Sequence, residues 1–278
     1  MVIVFGSINL DLVASVPAIP RAGETLLGSS LVTAPGGKGA NQALAARLAG
    51  AHVAMVGAVG DDTFADAALT NLYASGVDLA GVARVAGSTG IALINVDAKG
   101  ENAITVVPGA NARALASQVP DDALVLGNTL LMQLEVPLGE VAALGRRAKR
   151  RGVRVVLNGA PAVALPAELL HDVDFLVVNE HEAAICGGAH PRTNVVLTLG
   201  ARGATMEWEG RSCSQAPGDV RVVDTTGAGD ALCGAFAAAL DGGATPPEAL
   251  RAGVRAGALA CTHHGAQPTV ATPGEGGR

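Results

Sequence analysis

The chain has 278 residues, of which 49% are hydrophobic and 16% charged, and its formal net charge is −6. This composition supplies a sizeable apolar core and excludes a disordered or coiled-coil protein, while the acidic balance argues against nucleic-acid and membrane-surface partners. The four cysteines are scattered without a C-x-x-C pair, no apolar run reaches 18 residues, and the N-terminus lacks a basic start. We therefore expect a cytoplasmic protein without a signal peptide or a membrane span.

Short runs rich in valine, isoleucine and alanine alternate with helical segments along most of the chain. The predicted strands cover 2–5, 53–59, 122–126, 153–157, 174–178 and 195–199. The predicted helices cover 40–49, 63–74, 138–151, 166–171, 231–241 and 247–261. Continuous apolar strands separated by helices indicate a parallel sheet covered on both faces. The predicted fold class is α/β, with a doubly wound and mainly parallel sheet flanked by helices, in one domain over 1–278.

Two regions interrupt this alternation. Residues 12–34 carry prolines and glycines around short β-like pieces, and 89–97 with 102–107 form a predicted hairpin around Ala98-Lys99-Gly100. We expect these regions, at about 12–34 and 89–107, to form a small β-sheet beside the main one. Such a sheet is placed to act as a lid over the strand ends, where doubly wound proteins bind ligands.

The most informative stretch is Asp224-Thr225-Thr226-Gly227-Ala228-Gly229-Asp230, which lies between an apolar run and a predicted helix. The N–H groups of the first helical turn and the two glycines form an anion-binding nest beside the Asp230 carboxylate. We interpret Asp230 as a general base next to a bound phosphate. The alternative is that Asp230 caps the helix and the glycines only form a turn.

Three further motifs offer groups that suit a hydroxylated or anionic small molecule. Gly36-Gly37-Lys38-Gly39-Ala40-Asn41-Gln42 is a glycine-rich turn that enters a helix, but it lacks the Walker A pattern. Gly6-Ser7-Ile8-Asn9-Leu10-Asp11 directs the Asn9 amide and the Asp11 carboxylate to the same side at the end of the first strand. Glu135 is a lone acid at the end of an apolar stretch. Simple turns remain the alternative interpretation of the first two motifs.

Polar residues also follow two later predicted strands. Asn179-Glu180-His181-Glu182 begins a helix, and its Asn179 and Glu182 offer hard oxygen ligands suited to Mg²⁺, with helix capping as the alternative. Thr198-Leu199-Gly200-Ala201-Arg202-Gly203 ends a strand with two glycines, as a nucleotide-binding loop would. His263-His264 has no partner at metal-ligand spacing, so we do not interpret it as a zinc site.

Together these motifs resemble the ribokinase-like (PfkB) sugar kinases over nearly the whole chain, including Met132-Gln133-Leu134-Glu135 and Gly265-Ala266-Gln267-Pro268-Thr269. The resemblance implies an ATP-dependent kinase in which Asp230 takes the proton from a primary sugar hydroxyl. It implies an anion hole formed by Gly227, Ala228 and Gly229. The residues it implies for the sugar are Asn9, Asp11, Gly37, Lys38, Gly39, Asn41, Glu135 and Asp230. Those it implies for ATP are Asn179, Thr198, Gly200, Arg202, Gly203 and Gly229.

The resemblance also implies ions and a partner. Mg²⁺ would lie near Asn179 and Glu182. A K⁺ site beside the anion hole would comprise Asp224, Thr226, Ala260, His263, Gly265 and Thr269. The lid sheet would pair two subunits into a homodimer. Relatives have another helix between Glu182 and the strand at 195–199, whereas 183–194 is brief here, so we expect thin cover over one face of the sheet.

The scarcity of aromatic residues, which make up 2% of the chain, narrows the choice of acceptor substrate. None lies in the lid regions or beside Asn9, Asp11 or Asn41, whereas a nucleoside kinase usually needs rings that stack on the base. A pocket of amides and carboxylates favours a polyol, and ribose over adenosine. Deoxyribose, fructose and adenosine remain alternatives, as does a sugar- or nucleotide-binding protein that has lost efficient catalysis. A Rossmann dehydrogenase is excluded because no G-x-G-x-x-G follows the first strand.

Overall fold

The computed structural model describes residues 1–187 and 193–268. The strands are β1 (Val2–Phe5), β2 (Asn9–Ser15), β3 (Ser30–Gly36), β4 (Val53–Gly60), β5 (Asp78–Val85), β6 (Gly90–Val96), β7 (Asn102–Val107), β8 (Thr129–Met132), β9 (Arg154–Asn158), β10 (Phe175–Asn179), β11 (Asn194–Thr198), β12 (Ala204–Trp208) and β13 (Arg211–Gln215). The helices are α1 (Lys38–Leu48), α2 (Phe64–Ser75), α3 (Leu138–Arg150), α4 (Ala167–Asp172), α5 (Glu180–Cys186), α6 (Ala228–Asp241) and α7 (Pro246–Ala260).

The large sheet has nine strands in the order β13-β12-β11-β10-β9-β8-β1-β4-β5. Its strands from β11 to β5 run parallel to one another, while β12 and β13 add an antiparallel edge. The carboxyl ends of the parallel strands therefore meet at one edge, which is where ligands bind in this architecture.

Helices cover both faces of the large sheet because successive side chains of a strand point to opposite faces. In β1, Val2 and Val4 pack into one apolar cluster with residues of α1, α6 and α7. Ile3 and Phe5 pack into a second cluster with residues of α3 and α4. All four side chains are almost fully buried. The predicted α/β fold with a doubly wound, mainly parallel sheet is confirmed.

The second sheet has four strands in the order β3-β2-β6-β7 and corresponds to the small sheet expected from the two irregular regions. The hairpin of β6 and β7 is antiparallel, as predicted around Ala98-Lys99-Gly100. The sheet begins earlier than predicted, at Asn9. Asn9 and Asp11 therefore lie in the first strand of the small sheet, and placing them at the end of β1 was wrong.

The predicted strand over 122–126 was also wrong, because these residues form turns. Leu126 is 83% exposed, and Gly127 reverses the chain with a φ of +95°. The strand of the large sheet is β8, three residues further on, where Leu130 and Leu131 are fully buried. All six predicted helices are present, and Thr245 and Glu248 form the expected capping box at the start of α7.

The brief 183–194 connection led us to expect thin cover over the face of the sheet near α5, and residues 188–192 of that connection lie outside the described residues. An apolar cavity of about 200 Å³ lies between α5 and strands β10 to β12. It is lined by Leu176, Val178, Ala183, Cys186, Val195, Leu197, Thr205 and Glu207. In the two described ranges, no helix combines the length and the apolar character needed to cross a membrane.

Candidate active site

Asp230 lies in the first turn of α6, whose N-cap is Gly227 in the left-handed conformation with a φ of +77°. A Cβ at Gly227 would come within 2.7 Å of the Ala266 main chain, so only glycine fits this turn. Within the described part of the chain, the main-chain N–H groups of Gly227 and Gly229 have no acceptor. The positive end of the α6 dipole and these N–H groups together suit an anion.

Asp230 is 8% exposed, and each of its carboxylate oxygens accepts a hydrogen bond from α1. Asn41 Nδ2 donates to Oδ2 at 2.9 Å, and Gln42 Nε2 donates to Oδ1 at 2.8 Å. Burial raises the pKa of Asp230, and this effect outweighs the lowering by Lys38 and by the two amides. A raised pKa brings a carboxylate closer to the range that suits a general base.

Glu135 connects the segment after β1 with the start of α1 through hydrogen bonds. Its Oε2 accepts from Ser7 Oγ at 2.6 Å and from the Lys38 main-chain N–H at 3.1 Å. Ser7 Oγ in turn accepts from the Gly39 N–H at 3.2 Å. The Gly39 N–H is thus bonded within the protein, so Gly39 shapes the turn, and a donor for the sugar must come from elsewhere.

The glycines of this turn are required by close main-chain packing. Gly37 has a φ of +89°, and a Cβ there would lie 2.8 Å from Asn9 N. A Cβ at Gly39 would lie 2.6 Å from the carbonyl carbon of Gly6. The start of α1 therefore packs directly on the chain that leaves β1, which brings Lys38 and Asn41 to the ends of the strands.

Asn9 is buried and is held by Asn111, whose Nδ2 donates to Asn9 Oδ1 at 2.7 Å. Asn111 also accepts from the Ile8 N–H at 2.9 Å, which fixes the direction of its amide. Among the residues that the structure describes, Asn9 Nδ2 has no acceptor, so it offers a donor to a bound hydroxyl.

Charged side chains from several elements influence one another at this site. Burial raises the pKa of Asp11 to about 6, with further contributions from the negative charges of Glu135 and Asp230. Burial lowers the pKa of Lys38, but the carboxylates of Asp230, Glu135 and Glu182 raise it above its ordinary value. Lys38 therefore stays charged and compensates a cluster of acids.

A cavity of about 210 Å³ joins the residues predicted for catalysis to those predicted for the nucleotide. It is lined by Lys38, Asn158, Ala160, Val177, Val178, Asn179, Glu182, Thr198, Gly227, Gly229, Asp230 and Cys233. Motifs that are far apart in the chain thus meet at the carboxyl edge of the large sheet.

Asn179 and Glu182 form a capping box at the start of α5. Asn179 Oδ1 accepts from the Glu182 N–H at 2.8 Å, and Glu182 Oε2 accepts from the Asn179 N–H at 2.8 Å. The capping alternative is therefore correct, yet both side chains also line the cavity. Their remaining oxygen lone pairs fit Mg²⁺, which keeps several of its own waters and needs few protein ligands.

The segment after β11 forms the open end of the site. Thr198 lines the cavity, and Gly200–Arg202 makes a single 3-10 turn. A Cβ at Gly203 would collide with the Gln215 main chain, so glycine is needed there. Arg202 pairs with Glu180 at 2.9 Å, and both side chains are about two-thirds exposed.

Part of the predicted K⁺ site comes together behind the anion hole. Asp224 Oδ1 accepts from Thr226 N and Oγ1, and Asp224 Oδ2 accepts from Gly265 N at 2.8 Å. These hydrogen bonds hold the pKa of Asp224 below its usual range despite partial burial. Ala260 and His263 lie at the end of α7 and just beyond it, and Thr269 lies outside the described residues. Residues 1–187 and 193–268 contain no cluster of three or more His, Cys, Asp or Glu side chains suited to a metal ion.

Several residues of the site were missed from the sequence. Gln42, Gln133 and Ser7 belong to motifs that were noticed, but their side chains were given no role. Asn111 and Asn158 had no recognisable signal, since one follows an irregular loop and the other ends an ordinary buried strand. Their functions depend on hydrogen bonds between residues that are distant in the sequence.

Comparisons with known proteins agree on one family. The model of the pfkB family carbohydrate kinases matches residues 1–273. The ribokinase of Haemophilus influenzae is 37% identical over 97% of this chain and 94% of its own length. The solved ribokinase of Thermotoga maritima is similar with a TM-score of 0.86 at 32% identity, covering 95% of this chain and 94% of that one. The ribokinase of Arabidopsis thaliana, solved with ribose and ATP, is similar with a TM-score of 0.85 at 29% identity, covering 95% and 93%.

Proposed function

Since this chain belongs to the pfkB family of carbohydrate kinases, we propose that it uses ATP to phosphorylate the primary hydroxyl of D-ribose, giving D-ribose 5-phosphate and ADP. The observation that carries this proposal is the buried Asp230 carboxylate, which shares one cavity with the N-terminus of α6. Phosphoryl transfer to an alcohol needs a base and a preorganised site for negative charge. The similarity to ribokinases, one of them solved with ribose and ATP, supports the choice of sugar.

Asp230 accepts the proton of the sugar hydroxyl as the hydroxyl oxygen attacks the γ-phosphorus. The charge on the transferring phosphoryl group then faces the N–H groups of Gly227, Ala228 and Gly229 at the positive end of α6. The Ala228 N–H makes a long hydrogen bond to Thr225 O, at 3.3 Å. The surrounding carboxylates keep Lys38 protonated, and its positive charge adds to the stabilisation of the transferring phosphoryl group.

The sugar is held by groups that the strand ends bring together. The Asn9 amide donates, the carboxylates of Asp11 and Glu135 accept, and the turn at Gly37 lets the main chain approach closely. Asn41 links the sugar side to the base, because its Nδ2 is bonded to Asp230. A set of donors and acceptors with this density matches a molecule with a hydroxyl on most carbons.

ATP would occupy the opposite part of the cavity. Gly229, Asn179 and Thr198 would hold its phosphates, and Gly200, Arg202 and Gly203 would hold its outer part. Mg²⁺ bound near Asn179 and Glu182 would neutralise charge on the β- and γ-phosphates. K⁺ at the loop of Asp224, Thr226 and Gly265 would brace the turn that carries the anion hole, with Ala260, His263 and Thr269 as the other proposed contacts.

The small sheet would act as the lid of the sugar site and as the surface that pairs two copies of the chain. Its register aligns Val32, Val13, Ile94 and Ile104 in one row across the four strands. Val32 is 58% exposed and Ile104 is 55% exposed, so the row is apolar and open to solvent. Apolar surface of this kind is typical of an interface.

A substrate panel tests the proposed function. ADP release is measured with D-ribose, 2-deoxyribose, fructose and adenosine, with and without K⁺, and the phosphorylated carbon is identified by NMR. We expect the highest kcat/KM for ribose with phosphate on C5, and faster turnover with K⁺. Adenosine as the best substrate would contradict the argument from aromatic residues, and ribose binding without ATP consumption would favour a binding protein instead.

A further inference from the structure

Three buried amide side chains form a hydrogen-bonded chain that ends at Asp230, the proposed base. Gln42 Nε2 donates to Asp230 Oδ1 at 2.8 Å and to Asn158 Oδ1 at 3.0 Å. Gln42 Oε1 accepts from Gln133 Nε2 at 2.7 Å, and Asn158 Nδ2 donates to the Val177 carbonyl at 3.1 Å. Gln42 and Gln133 are fully buried, so solvent supplies none of these partners.

The direction of every amide in this chain follows from Asp230. An ionised carboxylate only accepts hydrogen bonds, so the Nε2 side of Gln42 must face it. The Oε1 side of Gln42 must then accept from Gln133, which leaves Gln133 Oε1 pointing at Gly6. In the described ranges, Gln133 Oε1 is the buried side-chain oxygen without a partner.

An unpaired buried acceptor is unfavourable and calls for an explanation. Reversing the Gln133 amide would place its oxygen against the oxygen of Gln42, and reversing both would place an oxygen against the Asp230 carboxylate. The unpaired atom is therefore the remote end of a chain whose orientation is fixed at the base.

We propose that Gln42 is a positioning residue that fixes the plane of the Asp230 carboxylate for proton transfer, and that Gln133 and Asn158 fix Gln42. The proposal rests on the proposed function, because it assigns Gln42 a role in that reaction. Asn41 holds the other carboxylate oxygen from the neighbouring position of α1. The Asp230 carboxylate is thereby held by α1 as well as by its own helix, α6. The first turn of α1 carries Lys38 and follows the glycine-rich segment proposed to bind the sugar.

The proposal predicts a change in the pH dependence of the reaction. The hydrogen bond from Gln42 lowers the pKa of Asp230, so its removal raises that pKa and moves the acidic limb of kcat to higher pH. The other ionisable groups that face Asp230 are Lys38, Glu135, Asp11 and the neutral thiol of Cys233. They are unchanged in a Gln42 variant.

The test compares wild type with Gln42→Met, which keeps the length of the side chain and removes the amide. With ribose and ATP across pH 5–9, we expect kcat to fall about tenfold to a hundredfold, as for a misaligned catalytic group. We expect the KM for ribose to stay within about twofold, and the acidic limb to move up by roughly half a pH unit or more.

Gln118→Met is the matched control, because Gln118 is a half-buried amide that donates to the carbonyls of Gly57 and Gly81. We expect this variant to lose stability while its kcat and pH profile stay as in wild type. If Gln42→Met does not fold, Gln133→Met replaces it. That change removes the unpaired oxygen of Gln133 and leaves Gln42 Oε1 unpaired instead, so the number of unpaired buried oxygens stays the same. The Gln42 amide then loses the hydrogen bond that Gln133 donates to it. The same direction of change is then expected, with a smaller loss of kcat.

Two failures are distinguishable. Wild type without activity on ribose would refute the proposed function. If wild type is active, two results would refute the positioning role alone. One is a folded Gln42→Met variant with unchanged kcat and an unchanged acidic limb. The other is an equal loss of kcat in Gln118→Met.

Discussion

At the scale of single residues, the site is a cluster of acids around one cation. Asp11, Glu135 and Asp230 come from three different parts of the chain. The charges of Glu135 and Asp230 raise the pKa of Lys38 and of Asp11, and Glu135 also raises that of Asp230. Such a cluster costs stability, because burial and like charges disfavour the ionised acids. The cost is consistent with a site that is organised for a polar ligand rather than for stability alone.

The Asp11 carboxyl allows this cost to be measured. Its pKa of about 6 in the folded protein is above its ordinary value, so ionisation of Asp11 destabilises the fold above pH 6 and has no effect below about pH 4. A shift of about two units corresponds to roughly 3 kcal/mol. We expect Asp11→Asn to raise the free energy of unfolding by up to that amount at pH 8 and little at pH 4, in urea unfolding experiments, while it weakens ribose binding.

Asp62→Asn serves as the control of opposite sign. Desolvation is the largest single influence on the pKa of Asp62 and raises it, but the hydrogen bonds that Asp62 accepts from Thr89, Ala65 and Phe64 together outweigh it and lower the pKa. This variant should therefore lose stability at pH 8, and the loss should shrink as the pH falls through the ordinary range of a carboxyl group. If Asp11→Asn is destabilised at pH 8, the charge cluster is wrongly described.

At the scale of elements, the N-terminus of α6 carries the proposed anion hole. Gly227 packs against Ala266, whereas a Cβ built on Gly229 meets no atom within 4 Å among the described residues outside its own helical turn. The two glycines of one motif therefore serve different purposes. Gly227 is needed for the turn itself, and Gly229 leaves room in the cavity.

This difference predicts opposite effects of one substitution at two positions. Gly229→Ala should keep or raise Tm, because alanine is favoured over glycine in helices by up to about 1 kcal/mol, yet lower kcat/KM for ATP. Gly227→Ala should lower both, because it forces strain at a positive φ and a contact with Ala266. Differential scanning calorimetry and steady-state kinetics check both variants. A Gly229→Ala enzyme with wild-type kinetics would remove Gly229 from the anion hole.

The elements also show what the sequence was able to reveal. Helices were predictable because glycines end them and a capping box begins α7. The segment 122–126 is as apolar as a strand, but the pairing of β8 with β1 and β9 decides which segment enters the sheet. The motif residues at strand ends were predictable from local patterns. Gln42, Asn111 and Asn158 were not, because their roles depend on contacts across more than 100 residues.

At the scale of the whole molecule, the small sheet leaves large apolar side chains exposed to solvent. The apolar row of Val32, Val13, Ile94 and Ile104 ends at side chains that are more than half exposed. Pairing two copies through these rows would cover the apolar surface and brace the lid of each sugar site.

We expect Ile104→Lys to turn the proposed homodimer into a monomer, since a buried unpaired ammonium disfavours the interface. Sedimentation velocity at micromolar concentration measures the change. Leu126→Lys is the control, because Leu126 is equally apolar and 83% exposed but lies outside the small sheet. A dimer that persists in Ile104→Lys, or a wild type that is already monomeric, would contradict pairing through this row.

The turnover of Asp230→Asn tests whether Asp230 is the base of a ribose kinase. The amide keeps the size of the side chain but does not take up the proton. With ribose binding by calorimetry and Tm near those of wild type, we expect kcat to fall about 10²- to 10⁴-fold. A folded Asp230→Asn protein that phosphorylates ribose at close to the wild-type rate would show that Asp230 is not the base.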